Sequence, residues 1–238
     1  MKNLPLGTLL NVATVTIGSF IGLALQQTFT PGMEQIVFQA LGLGTILIGI
    51  KMALKLPDGY MLVVIFSLVL GGLLGELIHL DNQIAWLSDW LKTVAGSTES
   101  KFSEGLITAF LLFCIGSMTF VGAIEEGLHK KRDLLVVKST LDGFSSIALA
   151  ASFGIGVLFS VIPMLIFQGG LTLAAKRLKS VFDANTLDVL SSVGGILILG
   201  ISINILGLGK VNLENLLPAL LICIILAKAK KRSMESQD

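Results

Sequence analysis

Residues 4–25 read LPLGTLLNVATVTIGSFIGLAL, a run with no charged side chain. At 1.5 Å per residue this stretch makes a helix of about 33 Å, enough to cross a hydrocarbon core of about 30 Å. Met1-Lys2 ahead of it gives it the look of a secretion signal. It is too long for a typical signal core, and no small-x-small cleavage site precedes Gln26-Gln27, so it is read as a first membrane helix.

The rest of the chain has the same character. Of 238 residues, 53% are hydrophobic and 14% charged, with 26 glycines and a mean hydropathy of +0.87. Soluble domains carry about 25% charged residues, so a water-soluble globule is excluded. Lys+Arg 17 against Asp+Glu 16 leaves a net charge of +1, which excludes recruitment of nucleic acid by bulk charge. At about 20 residues per crossing there is room for several spans and short connections, and none for a separate soluble domain. The expected fold is all-α, a single polytopic transmembrane domain over 1–238.

Apolar runs bounded by charges or turn residues give eight spans, at 4–25, 33–50, 60–80, 103–124, 136–153, 156–175, 186–206 and 211–227. The tightest stretch is 134–176, where two helices share 43 residues with only Gly154-Ile155-Gly156 as a turn. A short, broken or re-entrant helix there would make seven spans plus a partial one. Basic residues test the count, because cytoplasmic segments collect them. With the N-terminus inside, Lys2, Lys51, Lys55, Lys130, Lys131, Arg132, Lys138, Lys176, Arg177, Lys179, Lys228, Lys230, Lys231 and Arg232 are internal, against Lys92, Lys101 and Lys210 outside. That asymmetry predicts an even number of crossings, with both termini cytoplasmic. Between Asp81 and Lys101, Ile84, Leu87, Leu91 and Val94 fall at helical spacing, with Trp86 and Trp90 one turn apart. The pattern predicts an amphipathic helix in the outer interface, its tryptophans at headgroup level.

An internal repeat adds organisation. Gly7-Thr-Leu-Leu-Asn-Val12 aligns with Gly156-Val-Leu-Phe-Ser-Val161. Gly44-Thr-Ile-Leu-Ile-Gly-Ile50 follows 37 residues after Gly7, and Gly194-Gly-Ile-Leu-Ile-Leu-Gly-Ile201 follows 38 after Gly156. In the eight-span topology one copy runs outward and the other inward. The expectation is therefore an inverted 3+3 repeat, 4–80 and 156–227, with two linking helices in 103–153, an arrangement typical of secondary transporters.

Ionisable groups at membrane depth are costly and point to function. Asp142 lies some six residues into span five with Lys138 one turn earlier, so an ion pair and a coupling-ion or proton-relay carboxylate are both open. Glu76 and His79 share a face near the outer end of span three. Glu125 and Glu126 lie near the inner end of span four, beside Lys130, Lys131 and Arg132, where solvated or paired charges are expected. Among neutral groups, Asn11 sits within span one with Thr14 a turn below, its repeat counterpart is Ser160, and Gln168 and Asn204 add amides. Pro163 and Gln168-Gly169-Gly170 can disturb span six, and freed carbonyls lining a cavity coordinate small ions in discontinuous helices. Asn11, Ser160, Gln168 and Asp142 are therefore the expected solute or ion ligands, with Glu76, Asn204 and Glu125 in second place. Gly18/Gly22 and Gly71/Gly75 have the spacing of close helix contacts, within the chain or between two copies.

No catalytic constellation is present: there is no Gly-x-Ser-x-Gly, no His-Glu-x-x-His and no phosphate-cradling loop, and His79 and His129 belong at opposite membrane faces. Cys114 and Cys223 sit in apolar runs and read as small buried hydrophobes, so no catalytic, metal or cofactor role is expected.

Phe113-Cys-Ile-Gly-Ser-Met-Thr-Phe-Val-Gly-Ala-Ile-Glu-Glu-Gly127, Lys138-Ser-Thr-Leu-Asp-Gly-Phe144, Gly154-Ile-Gly-Val-Leu-Phe-Ser160, Gln168-Gly169 and Leu217-Pro-Ala-Leu220 resemble the domain-of-unknown-function 554 family. The resemblance covers essentially the whole chain. It implies a small bacterial inner-membrane protein of a family usually described as transport proteins, and it supplies no substrate. Together these readings lead to the expectation of a secondary transporter or permease for a small solute or ion, working by alternating access. The alternatives are a homo-oligomeric channel and a non-transporting scaffold or regulator. The expected partners are the bilayer, the solute and a second copy of the chain, with no nucleic acid.

Overall fold

Capping and turn chemistry set the helix boundaries in the computed structural model, which describes residues 4–98, 100–178 and 182–235. Helix α1 (Leu6–Gln26) follows Pro5. Helix α2 (Pro31–Ala53) opens on a proline, with the Thr30 hydroxyl accepting from the Met33 N–H at 3.3 Å. Helix α3 (Met61–Leu77) stops before His79, whose φ of +51° turns the chain into α4 (Leu80–Val94). Helices α5 (Phe102–Cys114) and α6 (Ser117–His129) are separated by Ile115-Gly116. After them come α7 (Asp133–Phe153), α8 (Gly156–Phe159), α9 (Val161–Leu178) and α10 (Ala184–Ile205). Asp183 caps α10, accepting from the Thr186 N–H at 2.8 Å and from Lys231 Nζ at 2.7 Å. Burial alone would raise its carboxyl, but those hydrogen bonds outweigh it and hold the group below the ordinary carboxylate range. Helices α11 (Leu213–Leu216) and α12 (Ala219–Glu235) complete the chain.

Among the described residues the protein is all helical, with no strand. Five helical segments are long and apolar enough to cross a membrane: Leu6–Gln26, Gln35–Ala53, Asp133–Phe153, Gly156–Leu178 and Ala184–Ile205. Two bent pairs, α3 with α4 at 66° and α5 with α6 at 59°, raise the number to seven if each counts as one span. The expected eighth, 211–227, is interrupted at Pro218, and α12 has only 17 residues, the later ones rich in lysine. The crowded stretch 134–176 keeps α7 whole at 21 residues, and Gly156–Leu178 follows as one 23-residue segment whose backbone stays in the right-handed helical region at Ser160.

Burial is inverted relative to a soluble protein. Thr8, Asn11, Ser19, Ser146 and Gln168 are fully enclosed, while Leu47, Phe144, Ile166 and Leu221 stand outward. Water would penalise such a surface and hydrocarbon does not. Trp86 and Trp90 on α4 are also exposed. Lys2 and Lys179 of the inward basic set lie outside the described residues.

The chain forms two compact units, the boundaries falling inside α2, inside α4 and between α9 and α10. In the first, from residues of 1–41 and 85–179, α1 packs along α7. Gly7 lies against Leu135, Gly18 against Gly143 and Ser146, and Gly22 against Ile147 and Ala150, so the two helices run parallel. Helix α9 runs opposite to α1, with Asn11 against Met164 and Gln168 and Thr8 against Gly169. It lies alongside α6, where Phe120 and Phe167 meet at 5.8 Å and Gly127 meets Thr172. In the second unit, α10 runs antiparallel to the later half of α2, Gly42 meeting Leu206 and Gly49 meeting Leu199. Helix α12 runs antiparallel to α3, with Gly71 on Ala219 and Lys230 over the Tyr60 ring at 4.5 Å. The Gly18/Gly22 and Gly71/Gly75 pairs are thus contacts within the chain.

Candidate functional site

Asn11 faces α7 and α9 because Gly7, Gly18 and Gly22 on its side of α1 let the backbones approach. Its Nδ2 donates to Asp142 Oδ2 at 2.9 Å and to Gln168 Oε1 at 3.0 Å, with Met164 Sδ at 3.6 Å. Lys138 Nζ, one turn before Asp142 on α7, donates to the same Oδ2. None of Asn11, Lys138, Asp142, Met164 and Gln168 is more than 8% exposed. At 1.5 Å per residue, Asn11, Lys138, Asp142 and Gln168 sit roughly 8–15 Å in from the face where α1 and α7 begin and α9 ends, with Met164 about one turn deeper.

The bonding fixes the amides. A carboxylate only accepts, so Asn11 must present its NH2 to Asp142, and Gln168 must then present its oxygen to Asn11. Two buried atoms are left without a partner, the acceptor Asn11 Oδ1 and the donor Gln168 Nε2, and the Thr8 hydroxyl one turn away is also unpartnered. Such groups are rare in native interiors because each forfeits its bond to water.

Helix α5 packs on α7, the helix that carries Lys138 and Asp142, and ends at the buried Cys114. The Thr119 hydroxyl of α6 donates back across the break to the Phe113 carbonyl at 3.1 Å, satisfying one of the acceptors that the end of α5 leaves open.

A second carboxylate holds α1 one turn nearer the face. Glu126 Oε1 accepts from the Gly7 N–H and from Arg132 Nε, both at 2.8 Å, while its buried Oε2 has no partner. The first-turn N–H groups of a helix lack internal acceptors and favour a negative charge. Glu126→Ala is expected to lower stability by about 1.5–3 kcal/mol, the range for hydrogen bonds to a charged group, and Glu126→Gln by less because it can still accept from Gly7. Thermal unfolding in detergent micelles reads both, and an Ala variant that melts like wild type would remove the latch.

Of the residues singled out in the sequence, Asn11, Asp142 and Gln168 come together here. Ser160 is enclosed one turn from Met164, and its hydroxyl donates to the Val157 carbonyl at 2.7 Å. Glu76 and Asn204 belong to the other unit. Glu76 accepts from Asn215 Nδ2 at 2.7 Å, while Asn204 closes its loop through Val211, accepting the N–H at 2.7 Å and donating to the carbonyl at 2.9 Å. Glu125 is only half-buried, and it is its neighbour Glu126 that turns inward. Lys138 pairs with Asp142 and Glu126 with Arg132, as the sequence allowed, and Thr8 and Met164 are the neighbours that it did not single out. The signal for Thr8 and Met164 is spacing, three residues before Asn11 and four before Gln168.

A helical bundle with an apolar exterior, crossed by several membrane-length helices and enclosing an ion pair with amides, is a polytopic membrane protein. The family model described as "Protein of unknown function (DUF554)" matches residues 6–228, and the chain belongs to that family. It is 37% identical to the "Uncharacterized membrane protein YdfK" of Bacillus subtilis (strain 168) over 218 residues, which are 91% of this chain and 93% of that protein. It is 28% identical to the "Uncharacterized protein YqgA" of Escherichia coli (strain K12) over 229 residues, 94% of this chain and 97% of that one. No solved structure matches.

Proposed function

We propose that the protein is a secondary transporter or permease that moves a small solute or ion across the bacterial inner membrane by alternating access. The observation that carries this reading is the pair of unpartnered buried atoms, Asn11 Oδ1 and Gln168 Nε2, beside the Lys138–Asp142 ion pair. Discontinuous helices and convergent polar groups at membrane depth are the makeup of transporter sites.

The helix directions support the topology. The three helix pairs that the repeat equates, α1 with α9, α2 with α10 and α3 with α12, each pack antiparallel, as an inverted 3+3 repeat with eight crossings requires. In the first unit, Lys130, Lys131, Arg132, Lys176 and Arg177 flank the face where α1 and α7 begin, which supports a cytoplasmic N-terminus, and an even number of crossings would put the C-terminus on the same side. In the cycle, α1 moves relative to α7 and α9 as the solute replaces the bonds that Asn11 makes to Asp142 and Gln168. Neither a metal, a cofactor nor a catalytic step has a part in it.

Purified protein in liposomes tests this. Saturable uptake or counterflow is expected, at least tenfold lower for Asn11→Ala and Gln168→Ala and unchanged for Asp183→Asn, which retains the α10 cap. Voltage-dependent currents in place of saturable uptake would make it a channel. No flux under any ion gradient would remove the transport reading.

A further inference from the structure

The cluster around Asn11 also constrains the charge of the solute, an inference that rests on the transport reading. Its ionisable groups cancel, one ammonium at Lys138 against one carboxylate at Asp142, both buried. A solute with net charge would bring an uncompensated ion into that interior, which is strongly disfavoured, so net neutrality is the first requirement. The unpartnered atoms set the second. Asn11 Oδ1 can only accept and Gln168 Nε2 can only donate, so the solute must supply both a donor and an acceptor. A carboxylate alone cannot satisfy Asn11, and an ammonium alone cannot satisfy Gln168. The amides are joined by a 3.0 Å bond, so the two free atoms lie within about 8 Å of each other by bond geometry, the reach of a small molecule.

Uncharged polar solutes and zwitterions both meet these terms, and the ion pair decides between them. A buried ion pair costs more to desolvate than an apolar pair of the same shape, and an uncharged solute would make no use of it. A zwitterion can exchange with it: the solute carboxylate takes the Lys138 ammonium and the Gln168 NH2, while the solute ammonium takes Asp142 and Asn11 Oδ1. Each charge stays partnered and the sum stays zero through the exchange. We infer that the site takes a small zwitterion with its ammonium and carboxylate close together, the chemistry of a short α-amino acid.

Binding to the full-length chain in lipid nanodiscs tests this with four probes of similar size: L-alanine, propionate, ethylamine and lactamide. L-Alanine is expected to bind at least tenfold more tightly than each of the others, and Gln168→Leu or Asn11→Ala to weaken it at least tenfold. Gln168→Glu replaces the free donor with a negative acceptor and is expected to shift preference about tenfold toward ethylamine. The ranking on the unaltered chain does not depend on any variant folding. If propionate, ethylamine or lactamide binds as well as L-alanine, or if L-alanine binds equally to the Asn11 and Gln168 variants, the zwitterion assignment is overturned. If none of the four binds while liposomes take up another solute through Asn11 and Gln168, the assignment falls and the transport reading stands. If there is neither binding nor flux, both fall.

Discussion

Lys138→Met is expected to destabilise the folded protein by about 3–5 kcal/mol, because it leaves the Asp142 carboxylate buried without its counter-ion. Lys138 and Asp142 are both almost fully enclosed, and the remaining donor to Asp142 Oδ2 is the neutral NH2 of Asn11. Methionine keeps much of the lysine stem's volume, so the loss reports charge more than packing. The double variant Lys138→Met with Asp142→Asn removes both charges and leaves an amide facing Asn11, and it is expected to recover most of the lost stability. A double-mutant cycle on thermal unfolding isolates the pair, since the neighbouring substitutions are strongly non-additive if the charges are coupled. Additive single effects, or a Lys138→Met protein that melts like wild type, would mean that water reaches the pair. The same double variant bears on transport: if the charges serve only to hold α7, it restores flux together with stability, whereas a charge-exchanging site stays inactive after stability returns.

The apolar runs were legible because membrane helices satisfy their own backbone, so composition and length are nearly sufficient to find them. Asn11 was legible for a related reason, as an amide inside an uncharged run that demands a partner. The break between α5 and α6 was not. Residues 103–124 read as one span, with no proline at Ile115-Gly116, yet Gly116 turns extended there and the Thr119 hydroxyl reaches back to the Phe113 carbonyl. That break also sets the helical phase of α6, and with it which of two adjacent glutamates turns inward. The sequence reading put Glu125 among the second-place ligands, yet it is Glu126 that packing against α1 brings to the Gly7 N–H. Glu76 and Asn204 show the converse. Each is a polar group near a helix end that pattern reading flags, yet Glu76 is bonded to Asn215 and Asn204 to the Val211 backbone. In the crowded stretch the arithmetic of length left room for a short, broken or re-entrant helix, and both Asp133–Phe153 and Gly156–Leu178 are long and apolar enough to cross.

Gly18→Val is the second large effect, expected to cost about 3 kcal/mol, the upper end of the usual range for overpacked interiors. A Cβ on Gly18 would run into the Gly143 carbonyl and the Ser146 hydroxyl of α7, and one on Gly22 into the Ile147 carbonyl. These obstacles include backbone atoms of a parallel helix, which cannot rotate aside as a side chain can, so relief requires α7 to move away along its length. Gly143 makes the approach tight from the other side, where an added Cβ would lie 3.1 Å from Thr14 Cβ. The displacement reaches the site, because Asn11 is two turns from Gly18 on α1 and Asp142 adjoins Gly143 on α7. Gly18→Val is therefore expected to lower stability and to break the Asn11–Asp142 hydrogen bond in one step. Gly44→Ala is the matched control: no heavy atom lies within 4 Å of its Cβ position, so it should melt unchanged or gain up to about 1 kcal/mol from helix propensity. Gly18→Ala separates packing from bulk, since even a single methyl meets the carbonyl. If Gly18→Ala and Gly44→Ala melt alike, α1 and α7 are not in backbone contact, and Asn11 is held to Asp142 by the hydrogen bond alone.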